Sequence, residues 1–211
     1  TFHSVGNILL RRYGQSIGLN SSFTIMDRSD AEDAVHLLRT ECGLHEKGRR
    51  VPRKNTIAEM FSKTVNTLRS LDDVILGDYA HFSELIDDLQ RLQRAYINYK
   101  TKHSLVDFDD LLVKLNELLD SDAALQEEVS RSFRYMLVDE YQDTNFLQAR
   151  ILQKLASAHN NIMAVGDEAQ SIYSFRGATF RNIMDFPNQF PGTRVMKLEE
   201  NYRSTQQILN L

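Results

Sequence analysis

Apolar residues recur every three or four positions through most of residues 29–132. This spacing places the side chains on one face of an α-helix. The residues that carry the pattern are Ile57, Met60, Phe61, Val65, Leu68 and Leu71; Phe82, Leu85, Ile86, Leu89, Leu92, Tyr96 and Tyr99; and Phe108, Leu111, Leu112, Leu115, Leu118 and Leu119. Helix-breaking residues are rare there, since Gly77 is the only glycine between Gly48 and Gly166 and proline is absent from residues 53–186. The sequence therefore predicts an all-helical unit over residues 29–132.

Two helix starts are suggested by pairs of polar residues. Ser29 and Glu32 have the spacing of a capping box, which predicts a helix over residues 31–40. Ser204 and Gln207 have the same spacing, which favours a structural role for Ser204.

Beyond residue 133 the pattern changes to short apolar runs that alternate with helical stretches. The runs are 135–138, 162–165 and 194–198, and helical spacing separates them at 146–158 and, more weakly, at 180–186. This alternation is typical of a parallel sheet covered by helices on both faces. Ligands of such sheets bind beyond the carboxyl ends of the strands. Since all three runs end in polar or charged residues, we expect the functional residues there.

The composition is that of an ordinary globular protein and excludes several classes. The 211 residues carry 25 Lys and Arg against 29 Asp and Glu, and this slight acidity argues against a nucleic-acid coat protein but leaves room for a local DNA-binding groove. No apolar run reaches the roughly 18–20 residues of a membrane span. The single cysteine, Cys42, excludes an intramolecular disulfide and is typical of a reducing compartment. We expect a cytoplasmic protein with no membrane partner.

An apolar run that ends in two adjacent acids, Asp139 and Glu140, has the pattern of a Walker B strand. Such a strand holds the first carboxylate where it can bind Mg²⁺, and the second can accept a proton from an attacking water. Acid pairs after strands are common, so a strand that simply ends in solvated carboxylates fits the same pattern. The six His residues form no ligand-like cluster, which argues against metal catalysis through histidine.

Three strings of residues give these strand ends a more specific meaning. They are 138–145 (VDEYQDTN), 165–178 (VGDEAQSIYSFRGA) and 198–205 (LEENYRST). In this order they closely resemble the UvrD/Rep/PcrA family of superfamily-one DNA helicases. Residues 1–4 (TFHS) resemble the family's motif Ib, and residues 102–111 (KHSLVDFDDL) resemble the stretch where its helical insertion returns to the motor domain. The resemblance spans the whole chain and is strongest from residue 133 to 206.

The resemblance implies a site for ATP and Mg²⁺. Asp139 would position the Mg²⁺, and Glu140 would be the general base. Gln170 would sense the γ-phosphate and contact the attacking water. Arg203 would place its guanidinium on the γ-phosphate and stabilise the charge of the transition state. Tyr202 would stack on the adenine.

The resemblance also implies contacts with DNA. Tyr173 and Phe175 would stack on unpaired bases, a contact that tolerates any sequence. Phe175 stands where many relatives carry Trp, so it keeps a flat π-face with less area. Thr1 and His3 would contact DNA from the motif Ib-like segment, and Arg176 would connect the Walker B carboxylates, at the nucleotide, to the DNA-reading loop. The expected partners are single-stranded DNA and junctions of single- and double-stranded DNA.

Simpler interpretations stay open for several of these residues. Tyr173 and Phe175 could be core aromatics of an ordinary loop. Arg203 could pair with one of its acidic neighbours, Glu199 or Glu200. The basic run at residues 45–54 could be a solvated loop between helices or could contact DNA phosphates.

The sequence contains no phosphate-binding loop of the form Gly-x-x-x-x-Gly-Lys-Ser/Thr. The nearest string, 43–50 (GLHEKGRR), has the glycine spacing but an Arg for the Lys, no hydroxyl for Mg²⁺ and no preceding strand. In the family, this loop precedes the position of Thr1 and the second motor domain follows that of Leu211. We therefore expect an internal fragment that holds half an ATP site and does not hydrolyse ATP alone.

The resemblance implies an α/β fold, namely part of a RecA-like P-loop NTPase motor domain with a parallel sheet and an inserted all-helical subdomain. The expected divisions are residues 1–28 as the end of the first motor segment, 29–106 as the helical insertion, and 107–211 as the ATPase core segment. The expected partners within the parent are the P-loop segment and the second motor domain.

The function implied is that of an ATP-dependent DNA helicase or translocase. It would couple ATP hydrolysis to movement along single-stranded DNA and to duplex unwinding, in the 3′ to 5′ direction by analogy, in DNA repair or replication. Two alternatives stay open: a subunit of a helicase–nuclease complex, and a non-catalytic module that binds DNA or a protein.

Overall fold

Helices make up most of the chain in the computed structural model, which describes residues 1–44, 50–172 and 181–210 (for Leu209 the backbone alone). The helices are α1 (Phe2–Tyr13), α2 (Arg28–Glu41), α3 (Lys54–Thr67), α4 (Leu71–Asp78), α5 (Ile86–Lys102), α6 (Phe108–Ser121), α7 (Ala123–Ser132), α8 (Phe146–Ala156), α9 (Arg181–Met184), α10 (Phe186–Gln189) and α11 (Gln206–Leu209). The strands are β1 (Thr24–Ile25), β2 (Leu105–Val106), β3 (Met136–Val138) and β4 (Ile162–Ala164). No helix within the described ranges is long and apolar enough to cross a lipid bilayer.

Helices α2 to α5 form a unit that leaves and rejoins the rest of the chain at one place. Strands β1 and β2 lie side by side and parallel, with Thr24 opposite Leu105 and Ile25 opposite Val106. The Met26 amide continues this ladder and donates to the Val106 carbonyl at 2.8 Å. The buried core of the unit consists of Met26, Ala34, Val35, Leu38, Leu44, Ile57, Met60, Phe61, Leu71, Ile75, Phe82, Leu85, Leu89, Leu92 and Tyr96. The unit therefore has its own apolar core.

A second group of helices, α1, α6, α7 and α8, packs around other cores. Gly6 of α1 lies against α6, and a Cβ at this position would be 3.1 Å from the Leu111 carbonyl oxygen. The buried residues are Leu9, Leu112, Leu115, Leu119, Val129, Leu147, Ile151 and Leu155 in one cluster and Leu10, Leu19, Phe23, Val106, Leu111 and Leu118 in another. The prediction of one helical unit over 29–132 is therefore wrong in one respect, since α6 and α7 pack with α1 and α8. Apolar spacing identifies a helix but not its packing partners.

The two strands predicted at 135–138 and 162–165 are confirmed as the parallel pair β3 and β4. Met136 lies opposite Ile162 and Val138 opposite Ala164. These four side chains pack against a cluster that contains Tyr141, Phe186 and Phe190. On the other face, Leu137 is 73% and Met163 is 52% exposed. Only one face of this sheet is covered by the described residues.

The third predicted strand, at 194–198, is wrong for the described chain. Residues 194–198 have no strand structure, and the apolar side chains Val195, Met196 and Leu198 are exposed. A strand needs a neighbouring backbone to accept and donate its hydrogen bonds, and the described residues provide none beside this segment.

The predicted capping box of α2 is wrong by two residues. Helix α2 begins at Arg28, and Asp27 caps it by accepting from the Asp30 amide at 2.8 Å. The Asp30 side chain in turn accepts from the Asp27 amide at 3.1 Å. Ser29 lies inside the helix, and Glu32 pairs with Arg28 at 2.8 Å. Asp is as good a cap as Ser and stands earlier in the chain, so it sets the start of the helix.

Two other helix ends differ from the sequence prediction. Helix α11 begins after Thr205, whereas Ser204 donates its amide to the Asn201 side chain at 2.9 Å. Helix α3 ends at Thr67, and Leu68 follows with a left-handed backbone (φ 54°) and an exposed side chain. The predicted apolar face over 57–71 is therefore divided between α3 and α4.

A polar bridge joins the α2–α5 unit to both α6 and α8. Asn66 of α3 donates from Nδ2 to Asp109 Oδ1 at 2.9 Å, and its Oδ1 accepts from Asn145 Nδ2 at 2.8 Å. Asn145 is the N-cap of α8, where its Oδ1 accepts from the Gln148 amide at 2.8 Å. Burial raises the pKa of Asp109, although hydrogen bonds from Ser62 and Asn66 oppose this shift. The bridge therefore contains a half-buried carboxyl group whose charged form is disfavoured.

We expect Asp109→Asn to change the pH dependence of stability. The folded-state pKa of Asp109 lies above the ordinary value of an aspartate, so the stability it contributes is full below about pH 4 and is lost as pH rises through the folded-state value. Asn keeps an acceptor oxygen for Asn66 and removes the half-buried charge. The melting temperature of the variant relative to the parent should therefore rise between about pH 4 and pH 8, measured by circular dichroism.

The other charged groups that face Asp109 are His3, Asp107 and Lys100. Burial lowers the pKa of His3, and the charge of Asp109 raises it. Loss of Asp109 therefore makes protonated His3 less favourable and destabilises the variant at acidic pH. This effect also makes the relative melting temperature of the variant rise with pH. Asp33→Asn is the control of opposite sign, because the hydrogen bond from Lys54 lowers the pKa of Asp33. A relative melting temperature of Asp109→Asn that does not change with pH would contradict the prediction.

Candidate active site

The carboxyl ends of β3 and β4 bring two polar segments to one edge of the sheet. The ladder continues past the strands, since the Val165 amide donates to the Val138 carbonyl at 2.8 Å and the Tyr141 amide donates to the Val165 carbonyl at 3.0 Å. Asp139 and Glu140 follow β3 directly, and both are exposed. The chain here has the arrangement that the sequence predicted for a ligand site at strand ends.

Glu140 has an unusual backbone conformation at this edge. Its φ of 51° and ψ of 43° lie in the left-handed region, which costs a residue with a side chain roughly 1–2 kcal/mol. The Glu140 amide donates to Asp139 Oδ1 at 3.0 Å, and the Glu140 carbonyl accepts from the Asp143 amide at 2.9 Å. The chain turns here into a 3₁₀ segment, Tyr141–Asp143. Strained backbone of this kind is concentrated at functional sites.

Gln142 is buried (1% exposed) and contacts both strand ends. Its Nε2 donates to Glu140 Oε2 at 2.6 Å, and its Oε1 accepts from the Asp167 amide at 3.0 Å. Its carbonyl accepts from Ser171 Oγ at 3.4 Å. Sequence reasoning gave Gln142 no role, because neither hydropathy nor spacing distinguishes a buried amide from a solvated one in a polar stretch.

Gly166 makes room for this amide. A Cβ at Gly166 would lie 2.5 Å from Gln142 Oε1 and 2.7 Å from Ile183 Cδ1. Both distances are too short for real atoms, so a side chain at this position would force Gln142 or Ile183 to move. The glycine is needed for its small size.

Gln170 lies in a 3₁₀ turn that follows β4. Its Nε2 donates to Asp167 Oδ2 at 2.8 Å, and Asp167 Oδ1 accepts from the Ala169 amide at 2.9 Å. Because the Asp167 amide is bound by Gln142, the turn that carries Gln170 is connected to the turn that carries Glu140. The structure thus brings Asp139, Glu140 and Gln170 to the same edge of the sheet.

Buried residues hold the turn at Tyr141–Asp143 in place. Thr144 Oγ1 donates to the Tyr141 carbonyl at 2.7 Å, and Asn182 Nδ2 donates to the Thr144 carbonyl at 2.8 Å. The Tyr141 ring packs edge-on against Phe186 with centroids 5.2 Å apart, and burial raises the pKa of Tyr141 to about 12. The turn is therefore anchored by hydrogen bonds and by an aromatic contact.

The predicted nucleotide contacts Tyr202 and Arg203 are not brought to this edge. The Tyr202 hydroxyl bonds the Glu200 carboxylate, and the Arg203 amide donates to Asn201 Oδ1 at 3.0 Å. Among the described residues, no hydrogen bond or ion pair joins either side chain to Asp139, Glu140 or Gln170, and no ion pair joins Arg203 to its acidic neighbours.

The predicted DNA contacts fall in two places. Thr1 caps α1, with its Oγ1 accepting from the Ser4 amide at 3.2 Å. The His3 ring packs edge-on against Phe108, with ring centroids 5.8 Å apart. The segment that holds Tyr173, Phe175 and Arg176 lies outside the described residues, as do residues 45–49 of the basic run.

The oxygen donors at this edge are suitable for Mg²⁺ that arrives with a phosphate ligand. Mg²⁺ is usually bound by one or two carboxylates together with substrate phosphates and water, and Asp139 and Glu140 present exposed carboxylates. Nearby, the buried Asp143 Oδ1 has no hydrogen-bond partner. The described part of the chain holds no group of three or more His, Cys, Asp or Glu that would form a permanent metal site.

Comparison with known proteins gives one consistent result. Residues 1–191 match the family described as the UvrD/REP helicase N-terminal domain. The whole chain is 38% identical to the ATP-dependent DNA helicase UvrD1 of Mycobacterium tuberculosis and covers 28% of that protein. It is 35% identical to the ATP-dependent DNA helicase PcrA of Leuconostoc citreum, again over the whole chain and 27% of that protein. The PcrA of Bacillus subtilis is also 35% identical, over 99% of the chain and 28% of that protein.

The matched relatives are much longer than this chain. It spans a little more than a quarter of the length of each of these curated proteins.

We expect Gly166→Ala to destabilise the folded chain. The added methyl group would displace Gln142 or Ile183, and overpacking of this kind costs roughly 1–3 kcal/mol. Denaturant unfolding measures the change. Gly14→Ala is the control, because Gly14 has a right-handed backbone (φ −59°) and its nearest neighbours would lie at an ordinary 3.4 Å. If both variants were as stable as the parent, the close approach at Gly166 would be refuted.

Proposed function

The chain belongs to the UvrD/REP helicase N-terminal domain family, and on this premise we propose that it forms part of the motor of an ATP-dependent DNA helicase. One observation carries the proposal: Asp139 and Glu140 at the end of β3 share a sheet edge with Gln170, which follows β4. Adjacent carboxylates and a neutral amide at one edge are among the groups that hydrolysis of a nucleoside triphosphate requires.

Each of these residues has a separate role in the proposal. The exposed carboxylate of Asp139 would hold Mg²⁺ bound with ATP, and the metal would neutralise charge on the phosphates. Glu140 would accept the proton of the attacking water at a carboxylate oxygen. Gln170 would donate from its amide nitrogen to the terminal phosphate and accept from the attacking water at its amide oxygen. Arg203, Tyr202 and Arg176 would complete the site on the nucleotide.

The proposal requires segments beyond those that now meet at the edge. The hydrogen bonds of Tyr202 and Arg203 are local to their own segment, so both residues would reach the nucleotide only when further segments of the parent protein assemble the site. The exposed face of β3 and β4, with Leu137 and Met163, supports this view, because a RecA-like sheet is covered on both faces. The missing cover would be the P-loop segment of the helicase, with the second motor domain opposite the nucleotide.

The domain division proposed for the parent follows the packing. Residues 29–106 would be the helical insertion, between segments 1–28 and 107–211 of a RecA-like motor domain. Two observations support this: the parallel pairing of β1 with β2 where the chain leaves and returns, and the separate cores of α2–α5 and of α1, α6, α7 and α8.

The DNA substrate would be single-stranded, with junctions to duplex as the site of unwinding. Tyr173 and Phe175 would stack on bases, and Thr1 and His3 would contact the strand from the start of α1. Hydrolysis would be coupled to stepping, in the 3′ to 5′ direction by analogy with the family, in DNA repair or replication.

We expect Glu140→Gln in the complete parent protein to abolish hydrolysis while nucleotide binding stays nearly unchanged. The amide keeps the shape of the side chain and loses the proton acceptor, and loss of a general base costs about 10²–10⁴-fold in kcat. Steady-state ATPase assays and a fluorescent nucleotide titration measure the two quantities. Glu117→Gln on the exposed side of α6 is the matched control. Equal losses of nucleotide binding and turnover would instead indicate a structural role for Glu140.

We also expect the 211-residue chain by itself to show no DNA-stimulated ATP turnover.

We expect Ala at both Tyr173 and Phe175 in the parent protein to weaken single-stranded DNA binding by roughly 1–3 kcal/mol per lost stack. Because stacking releases no counterions, the salt dependence of binding should stay close to that of the parent. Fluorescence anisotropy over a salt series measures both. Leu at both positions restores apolar volume without a π-face, so it should not restore binding. A folded double-Ala variant that binds single strands as the parent does would make these aromatics core residues.

A further inference from the structure

Gln142 is the buried polar side chain that joins the two strand ends of the site. Both of its amide atoms are used: Nε2 donates to Glu140 Oε2 at 2.6 Å and Oε1 accepts from the Asp167 amide at 3.0 Å. If a buried amide had only one protein partner, its other polar atom would give up its hydrogen bond to water on folding and gain none in return. The two bonds therefore fix the side chain and, through it, the distance between the two turns.

The hydrogen bond from Gln142 determines which carboxylate oxygen of Glu140 is available to contact a water molecule. Oε2 is occupied by Gln142, and Oε1 has no hydrogen-bond partner among the described residues. The left-handed backbone of Glu140 (φ 51°) is disfavoured for a residue with a side chain. The hydrogen bond from Gln142 therefore holds the Glu140 carboxylate in place, although the left-handed backbone of Glu140 is itself unfavourable.

Gly166, at the carboxyl end of β4, leaves the space that the Gln142 side chain occupies. A Cβ at Gly166 would lie 2.5 Å from Gln142 Oε1. The next residue, Asp167, gives its amide to that same oxygen and its carboxylate to Gln170 Nε2, the latter at 2.8 Å. A shift of the Gly166–Asp167 backbone would therefore move the Gln142 side chain and, through its hydrogen bond, the Glu140 carboxylate.

We propose that Gln142 is a positioning residue that holds Glu140 Oε2, directs Oε1 to the attacking water, and keeps the base in register with the turn that carries Gln170. The proposal rests on the proposed function, in which Glu140 is the general base. Gln fits this task because it donates and accepts at the same time. Met has a similar length and can do neither, whereas Glu keeps an acceptor for the Asp167 amide and loses the donor to Glu140.

The first test measures turnover and binding in the complete parent protein. Gln142→Met should lower kcat by about 10–100-fold, the size expected for a misplaced catalytic group, with the nucleotide dissociation constant unchanged. In the Glu140→Gln background the same substitution should cause no further loss, because a residue that acts through Glu140 has nothing left to position. The matched control is Gln153→Met, on the exposed side of α8, which should leave turnover unchanged.

The second test needs no nucleotide. Backbone deuterium uptake, followed by mass spectrometry in the nucleotide-free protein, should increase over residues 166–170 in Gln142→Met, since the Asp167 amide loses its acceptor. In Gln142→Glu the uptake should stay close to that of the parent, while turnover falls as it does in Gln142→Met. Gln153→Met should change neither quantity.

The outcomes separate this proposal from the one on which it rests. If Glu140→Gln abolishes hydrolysis but Gln142→Met turns over as the parent does, Gln142 is not a positioning residue, although the proposed function stands. If Gln142→Met lowers residual turnover equally in both backgrounds, or lowers nucleotide affinity as much as kcat, its role is structural and the proposal is overturned. If Glu140→Gln leaves hydrolysis intact, the proposed function itself fails.

Discussion

The arrangement of the candidate site depends on one buried amide. Gln142 holds the turn after β3 and the turn after β4 together by one donated and one accepted hydrogen bond. The strands are only three residues long, so their ladder alone provides few bonds to fix the two ends. Without the amide, the exposed carboxylates and Gln170 would lie on two turns joined by the backbone bonds of the ladder and by the long bond from Ser171 Oγ to the Gln142 carbonyl at 3.4 Å.

The same region is also where the helical unit is attached. Asn145 caps α8 five residues after the strained Glu140, and its side chain binds Asn66 of the α2–α5 unit. A second polar cluster lies at the return of the unit, where Lys100 is buried and pairs with Asp107 at 2.6 Å and with Asp110 at 2.7 Å. Buried ion pairs and amides require specific geometry to offset their desolvation. They therefore fix the orientation of the unit, whereas its apolar core provides the stability.

Within the described part of the chain, no hydrogen bond or ion pair joins Tyr202 or Arg203 to the residues at the sheet edge. Oxygen and amide groups gather at the edge of β3 and β4, yet the sheet exposes Leu137 and Met163 on its uncovered face. Segment 194–205 remains exposed and bonded to itself. An apolar strand sequence without a neighbouring strand does not form a ladder, and this accounts for the missing third strand at residues 194–198.

The sequence by itself determined those features that depend on local spacing and on motif strings. It identified most of the helices from their apolar periodicity, two of its three predicted strands, at 135–138 and 162–165, the acids that follow them, and the helicase family to which the chain belongs. Tertiary structure alone decided the rest. The partners of α6 and α7, the burial of Gln142 and the need for glycine at residue 166 all depend on which backbones approach each other. A periodic pattern records which face of an element is apolar, whereas hydrogen-bond partners and close approaches are set by residues far away in the sequence.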